Sequence, residues 1–499
     1  MEQKNVDLII ENGTLVTMDN NHRILKNHSV AVKGTYIDAI DTADEIRKRY
    51  QSKETIDASK MVVMPGLVDT YGHAGHGMIK GIYHPDHGWP ANELYFHASD
   101  EQWWYAEALL SGLERLKFGV TTGLTVVGAT PARADSPVFS FKQAEAIAKL
   151  GIRGMVAVGP PDPFYSHLQE PWSATLREKG KVLKHTFTFE DALANTETVI
   201  KECSNMADGR VMTAVHYPYL FGRQAAHPRI SFKYKDEHVP AIIKRADEIR
   251  ELADTYKVII HSHAFTGSID YGLDKFGKTV VERLLGRDVI FCHSNGFSER
   301  EIETLGHFGV NIAVVPFTHE NLYYGICPVV ELLKSGANVT ISTDGTAPYA
   351  SYNLWRDISR VIWAQWTKHN DQKLLPCGKA LRMVTIDAAK ALGIDEQIGS
   401  LETGKKADII LVNMNQPHLY PDIFLPRLLA LYAVGQDVDT VIVNGNVLME
   451  GRNVKTVNEG DIIDQARAAN ERALRHCDIS PYIDIDENFW TGWRYPDNQ

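Results

Sequence analysis

The sequence predicts an α/β fold: a (β/α)8 TIM barrel beside a smaller β-sandwich domain built from both chain ends. Three observations carry that expectation. From Met61 to Gly404, apolar runs alternate with helical segments, as parallel β/α units require. Outside those limits, short stretches alternate apolar and polar residues around Asn-Gly and Lys-Gly turns. Metal-ligating side chains also gather where the apolar runs end, which is where a barrel builds its reaction centre.

The N-terminal stretches DLIIENGTLVTMD and SVAVKGTYIDAID read as short strands with turns at Asn12-Gly13 and Lys33-Gly34. So few strands rarely close a core, so this sheet needs a complement. KADIILV at 406–412 and DVDTVIVNGNV at 437–447 supply it. The expected domains are therefore 1–60 (first part of the sandwich), 61–404 (barrel) and 405–499 (second part, a polar helix near 459–476 and a tail). Within the barrel, apolar runs follow at 124–128, 154–158, 211–215, 258–260, 289–292, 312–315 and 339–342. With the opening run they number about eight, enough to close a barrel. Helical spacing marks 103–117, 239–256 and 298–308.

Composition narrows the function. The chain has 499 residues, is 44% hydrophobic and 23% charged, and carries a formal net charge of -11. That balance suits a globular protein and disfavours nucleic acid or an anionic membrane as partner. No apolar stretch approaches the length of about 18 residues that spans a bilayer, and the polar start MEQKNVDLIIENG lacks a signal-peptide core. Five scattered cysteines without a CxxC pair read as a reduced, cytoplasmic protein.

The opening run of the barrel, VVMPGLVDTYGHAGHGMIKG, ends in Asp69, Tyr71, His73 and His76. Later runs end in His263 (HSHAFTG), His293 (FCHSNGF) and Asp344 (STDGT). Imidazole suits Zn, Fe, Co or Ni, and a carboxylate both ligates metal and accepts a proton. One divalent transition metal per chain would give a hydroxide nucleophile near neutrality. The set His73, His263, His293 and Asp344 satisfies a mononuclear site with room for water.

At these residues the chain resembles the amidohydrolase superfamily, in the branch of chlorohydrolases and aminohydrolases acting on triazines, guanine and related heterocycles. The resemblance extends over IENGTLVTMD, PGLVDTYGH, GVTT, the His293 stretch with SEREIETLGHFGV, STDGT, ALRMVTIDAAKALGI, IGSLETGKKADIILV and VIVNGNVL. It implies the barrel and composite sandwich, and hydrolysis at a carbon bearing an amino, amide or similar leaving group. It also implies zinc first among candidate metals, with Fe, Mn, Co or Ni as alternatives, and a homodimer or larger homo-oligomer. By resemblance His73, His263 and Asp344 match metal ligands, and His293 a histidine that ligates or hydrogen-bonds the metal water. Asp344 matches the general base, and His216, in VHYPYLF, a position that contacts substrate or is a satisfied histidine near a turn.

Two positions depart from the family pattern. The usual His-x-His of the first strand is Tyr71-Gly72-His73, which leaves Tyr71, His76 or a water to fill the place. The acid of the usual His-x-x-Glu falls at Thr266, which delivers no proton at neutral pH. Glu320 and His319 are candidate substitutes, with surface or hinge roles as their alternative. Trp89, Tyr95, Phe96 and Trp103, in the aromatic stretch 84–105, either line a substrate pocket or pack internally, as do residues 160–165. The candidate substrate-binding residues are His76, Trp89, His216 and His319.

A missing ring-protonating acid favours amide, urea or carbamate hydrolysis, where Asp344 can return the water's proton to the leaving nitrogen. The leading expectation is thus hydrolysis of a non-peptide C–N bond in a small, partly aromatic molecule. A heterocycle deaminase or dechlorinase using another acid is the alternative. From a different class comes a barrel that has lost metal and serves as a scaffold, the direction in which Tyr71 and Thr266 point.

Overall fold

The computed structural model describes residues 3–129, 131–162, 170–178, 181–222, 235–316, 325–484, 489–490 and 492. The chain ends build one nine-stranded sheet. Its N-terminal strands are β1 (Lys4–Val16), β2 (Ile24–Lys33), β3 (Tyr36–Thr42), β4 (Tyr50–Asp57) and β5 (Met61–Pro65). The barrel strands follow as β6 (Leu67–Asp69), β7 (Val120–Val126) and β8 (Arg153–Val158), then, after a hairpin of β9 (Trp172–Glu178) and β10 (Lys181–Phe187), β11 (Val211–His216), β12 (Ile260–Ala264), β13 (Val289–His293), β14 (Asn311–Val314) and β15 (Asn338–Ile341). The C-terminal strands β16 (Ile409–Asn413), β17 (Val438–Val443), β18 (Asn446–Glu450) and β19 (Asn453–Val454) return to the first sheet in the order β19-β18-β17-β16-β5-β1-β2-β3, with β4 on β1.

Strand alternation explains how one sheet serves two cores. On β5 and β16, Val63, Ile409 and Leu411 join Leu8, Ile10, Leu15, Val30 and Val32 in a cluster internal to the sheet. The intervening Val62, Met64, Ile410 and Val412 point the other way, into the barrel core. β5 pairs with β1 and β16, so the chain passes from sheet to barrel at Pro65-Gly66, a little beyond residue 61. The C-terminal helix Glu459–Leu474 leaves the sheet and docks on the barrel helix Glu101–Lys117: Lys117 pairs with Glu459 at 2.6 Å, and the Trp103 indole donates to Asn470 at 3.0 Å.

The barrel strands run parallel in sequence order from β6 to β15. β7, β8 and β13 are buried at every position, as strands covered on both faces must be. The seam between β15 and β6 is closed by polar contacts and one backbone bridge. Thr70 Oγ1 meets Thr340 Oγ1 at 2.7 Å and Ser342 Oγ at 2.6 Å, and the Asp344 amide donates to the Tyr71 carbonyl at 3.0 Å. The expected helices form, Val239–Tyr256 at the limits read from spacing and Glu299–Phe308 behind a Ser298/Glu301 capping box. The fifth barrel strand lies further along than expected, because His261 and His263 belong inside it: both side chains face the reaction centre rather than a dry core. The hairpin β9–β10 has no counterpart in the sequence reading.

Candidate metal centre

Each candidate site residue sits at or beside the C-terminal end of a barrel strand. His73 and Tyr71 follow β6, His216 ends β11, His263 lies in β12, His293 ends β13, and Asp344 follows β15. Gly72 lets the first strand pass, because a Cβ there would collide with the buried Arg115 guanidinium. Arg115 lies over the Tyr352 ring at 4.0 Å and reaches Asp69 at 3.3 Å. Asp69 also accepts from the Thr343 hydroxyl at 2.7 Å and the Thr343 amide at 3.2 Å, so one buried carboxylate aligns the ends of β6 and β15.

Tautomers follow from fixed partners. The Gly128 carbonyl can only accept, so its 2.6 Å contact places the proton on His73 Nδ1. Nε2 therefore offers a lone pair, and the Tyr71 hydroxyl donates to it at 2.6 Å. Asp344 Oδ1 lies 3.4 Å from that nitrogen, and its Oδ2 lies 3.9 Å from His293 Nδ1. On the far side, His293 Nε2 and His263 Nδ1 are 3.0 Å apart. The sequence-predicted ligands His73, His263, His293 and Asp344 thus form one connected group.

Burial sets their charges. It pulls His73 down to about 4, the Gly128 bond opposing, and it holds His263 far below the usual imidazole range, with the neighbouring histidines adding to the effect. Burial also lifts Asp344 to about 7 against its bond from the Gly345 amide. The Tyr71 phenol is pushed well above its usual value, first by burial and then by Asp344, so Tyr71 stands here as a neutral hydroxyl. Neutral imidazoles packed around a carboxylate are a donor set that suits a divalent transition metal, and the residues present fit one. Left-handed backbone at His293 (φ 72°), Ser294 (φ 54°) and Asp344 (φ 60°) turns these side chains out of strand alternation. Such strain concentrates at functional sites.

The substrate-side candidates surround this group. His76 stacks on His73 at 4.8 Å, and Trp89 meets His76 edge-on at 4.7 Å. Gly345 admits the His76 ring, since a Cβ there would overlap it. His216 is buried, with Nδ1 3.1 Å from His261 Nδ1, and burial lowers it to about 3. Tyr95 and Trp103 belong to the core, and Phe96 lies beside the buried Arg133. His319 and Glu320 lie outside the described residues, as do residues 163–165.

Thr266 is occupied structurally. Its hydroxyl donates to the Asn295 carbonyl at 2.7 Å, joining the loops after β12 and β13. Glu301 holds the same loop from below, accepting from Gly267 N at 3.2 Å, Ile269 N at 2.9 Å and Ser298 N at 3.0 Å. Sequence reading missed three neighbours of the ligands. His261 stacks on Tyr71 at 4.6 Å, Phe265 stacks on His293 at 4.8 Å, and Cys292 Sγ lies 3.2 Å from His263 Nδ1. The i, i+2 spacing of His261 and His263 was the available signal for the first.

A parallel barrel whose strand ends converge on neutral imidazoles and a carboxylate has the architecture of a metal-dependent hydrolase. The chain belongs to the amidohydrolase family, whose model matches residues 62–448. It is 30% identical over 471 residues to the 5-methylthioadenosine/S-adenosylhomocysteine deaminase of Thermoanaerobacter pseudethanolicus, across 91% of this chain and 96% of the relative. It is likewise 30% identical over 482 residues to the 5'-deoxyadenosine deaminase of Methanosarcina acetivorans, across 94% and 98%. Among solved structures, an adenosine deaminase from Xanthomonas campestris with bound zinc superposes with a TM-score of 0.78 at 21% identity, over 95% of this chain and 100% of the other. An atrazine chlorohydrolase from Arthrobacter aurescens TC1 with zinc gives 0.75 at 21%, over 93% and 100%. The structural likenesses establish the shared fold, and the family establishes a hydrolytic enzyme acting on C–N bonds. Among the described residues, no helix is long and apolar enough to cross a membrane.

Proposed function

We propose that the protein hydrolyses a non-peptide C–N bond of the amide, urea or carbamate type in a small, partly aromatic molecule. The observation that carries this reading is the contact network linking His73, His263, His293 and Asp344 at the strand ends. These four residues would hold one divalent metal, zinc foremost. Bound there, the metal supplies an activated water and polarises the reacting group.

The protein's own groups do the rest. Asp344, whose carboxyl titrates near neutrality, takes the attacking water's proton and passes it to the leaving nitrogen. His293 hydrogen-bonds the oxygen on which charge develops. His73, its tautomer locked by Gly128, keeps a lone pair turned inward. His76, His216 and Trp89 contact the substrate, and the Phe265 ring stacked on His293 keeps water from that side. Thr266 is committed to Asn295, and Asp344 as proton shuttle suits a carbonyl substrate.

A second reading has its own support. The 30% identical relatives are deaminases of adenosine-type nucleosides, so release of ammonia from such a ring is the competing reaction. Five buried cysteines outside any disulfide support a reducing cytoplasm, and the exposed side chains of Tyr420, Ile423 and Phe424 support a homodimer or larger assembly.

Product analysis on the zinc-loaded enzyme tests both readings. Amine plus acid from amides, ureas or carbamates, lost in Asp344→Asn, is the expected result. Ammonia from adenosine-type nucleosides alone would replace it with the second reading, and turnover of neither class would overturn both.

A further inference from the structure

Cys292 is one residue before His293, and in a regular strand the two would face opposite ways. The structure puts them on the same side. Parallel pairing sets Cys292 opposite His263, so its side chain points into the barrel beside that imidazole. His293 then leaves the strand with φ 72°, and its ring swings back toward the same point. The result is a three-donor cluster: the ligand atoms of His263, Cys292 and His293 all lie within 4.8 Å of one another and all three residues are buried.

We infer that Cys292 is a metal ligand of this enzyme, completing a His263–Cys292–His293 set. The inference rests on the metal-dependent reading above and deepens it. Zn–N bonds of about 2.0–2.1 Å and Zn–S bonds of about 2.3 Å place tetrahedral ligand atoms roughly 3.3–3.6 Å apart. Cys292 Sγ stands 3.2 Å and His293 Nε2 stands 3.0 Å from His263 Nδ1, close to that spacing, and the third separation lies within 4.8 Å.

Tyr71 supplies the second reason. Its hydroxyl is bonded to His73 Nε2 at 2.6 Å, and its ring stacks on His261 of β12 at 4.6 Å. That bond takes up the His73 lone pair, while the ligand atoms of His263, Cys292 and His293 stay grouped within 4.8 Å of one another. Coordination would expel the thiol proton to solvent, and the sulfur would bind as thiolate. Sulfur would thus take the place in the four-residue set that the Tyr71-bonded His73 would otherwise fill, with Asp344 beside the position left for water. It also softens the site, so zinc and cobalt are favoured over manganese or magnesium.

X-ray absorption on the zinc-loaded full-length protein tests the assignment. The expected spectrum contains one sulfur scatterer at about 2.3 Å, absent in Cys292→Ala. Cobalt loading should add a sulfur-to-metal charge-transfer band in the near ultraviolet, lost in both Cys292→Ala and Cys292→Ser. One zinc per chain with a nitrogen/oxygen shell alone overturns the inference and leaves the metal-hydrolase reading standing. Failure of the intact protein to take up any metal overturns both. Should Cys292→Ala not fold, the wild-type sulfur shell together with Cys292→Ser still decides.

Discussion

The Tyr71 hydroxyl donates a 2.6 Å hydrogen bond to Nε2 of His73, two residues along the same strand end. Both side chains face the reaction centre because Gly72 between them carries no Cβ and lets the strand lie against Arg115. The bond stabilises His73 as a neutral imidazole, but it occupies the lone pair that a metal would use. At the proposed metal site, Tyr71 would therefore compete with the ion for His73.

Replacing Tyr71 separates those roles. Tyr71→His adds an imidazole donor and should tighten zinc binding by about tenfold or more, the scale on which groups around a metal act. Tyr71→Phe removes the competing hydroxyl and leaves a buried acceptor unpaired, at a cost of about 1–3 kcal/mol. Competition with a chromogenic chelator measures the first, and denaturant unfolding the second.

Asp344→Asn should keep the fold and remove the proton shuttle. Loss of a positioned general base lowers kcat by about 10²–10⁴-fold. The substitution also retains the bond to the Gly345 amide, which the asparagine side-chain oxygen can accept. Steady-state kinetics beside circular dichroism distinguishes lost chemistry from lost structure.

Glu301 joins a helix start to the loop that follows His263 and β12. Glu301→Ala strips acceptors from the Gly267, Ile269 and Ser298 amides and should destabilise by about 2–4 kcal/mol. Glu301→Gln keeps part of that bonding and should cost less. Urea unfolding midpoints should rank wild type above Gln above Ala.

Arg133 and Asp135 form a buried two-point pair, Nε to Oδ1 at 2.6 Å and Nη2 to Oδ2 at 3.0 Å. Burial would raise the Asp135 carboxyl, but Arg133 and His185 overcome it and hold the group at about 2. Its folded value lies below its unfolded one, so its stabilisation is complete above pH of about 4 and fades as pH falls toward 2. The contribution amounts to about 2 kcal/mol. Asp135→Asn should lose most stability at neutral pH, and its deficit should narrow between about pH 4 and 2, as read from denaturant unfolding at each pH.

Much of this architecture is legible in one dimension because the barrel imposes repeating signals. Strands buried on both faces read as apolar runs, the Ser298/Glu301 box announces its helix, and Asn444-Gly445 marks a turn. His73, His263, His293 and Asp344 could be picked out because each ends such a run. The strand containing His263 was read too early because polar residues inside a barrel break the apolar pattern at the site itself. The β9–β10 hairpin is half solvent-exposed, with Val182 and Leu183 on the surface, and so lacks a buried-strand signature.

By itself the sequence determined the barrel, the sheet shared by the two chain ends, and four strand-end donors, since periodicity and turn chemistry are local properties. Only the tertiary structure decided which neighbours those donors meet. Cys292 looks like an ordinary buried cysteine until the β12–β13 register sets it against His263 and a left-handed His293 turns back beside it. Register and a single positive φ are consequences of packing across strands distant in sequence, and no local pattern encodes them.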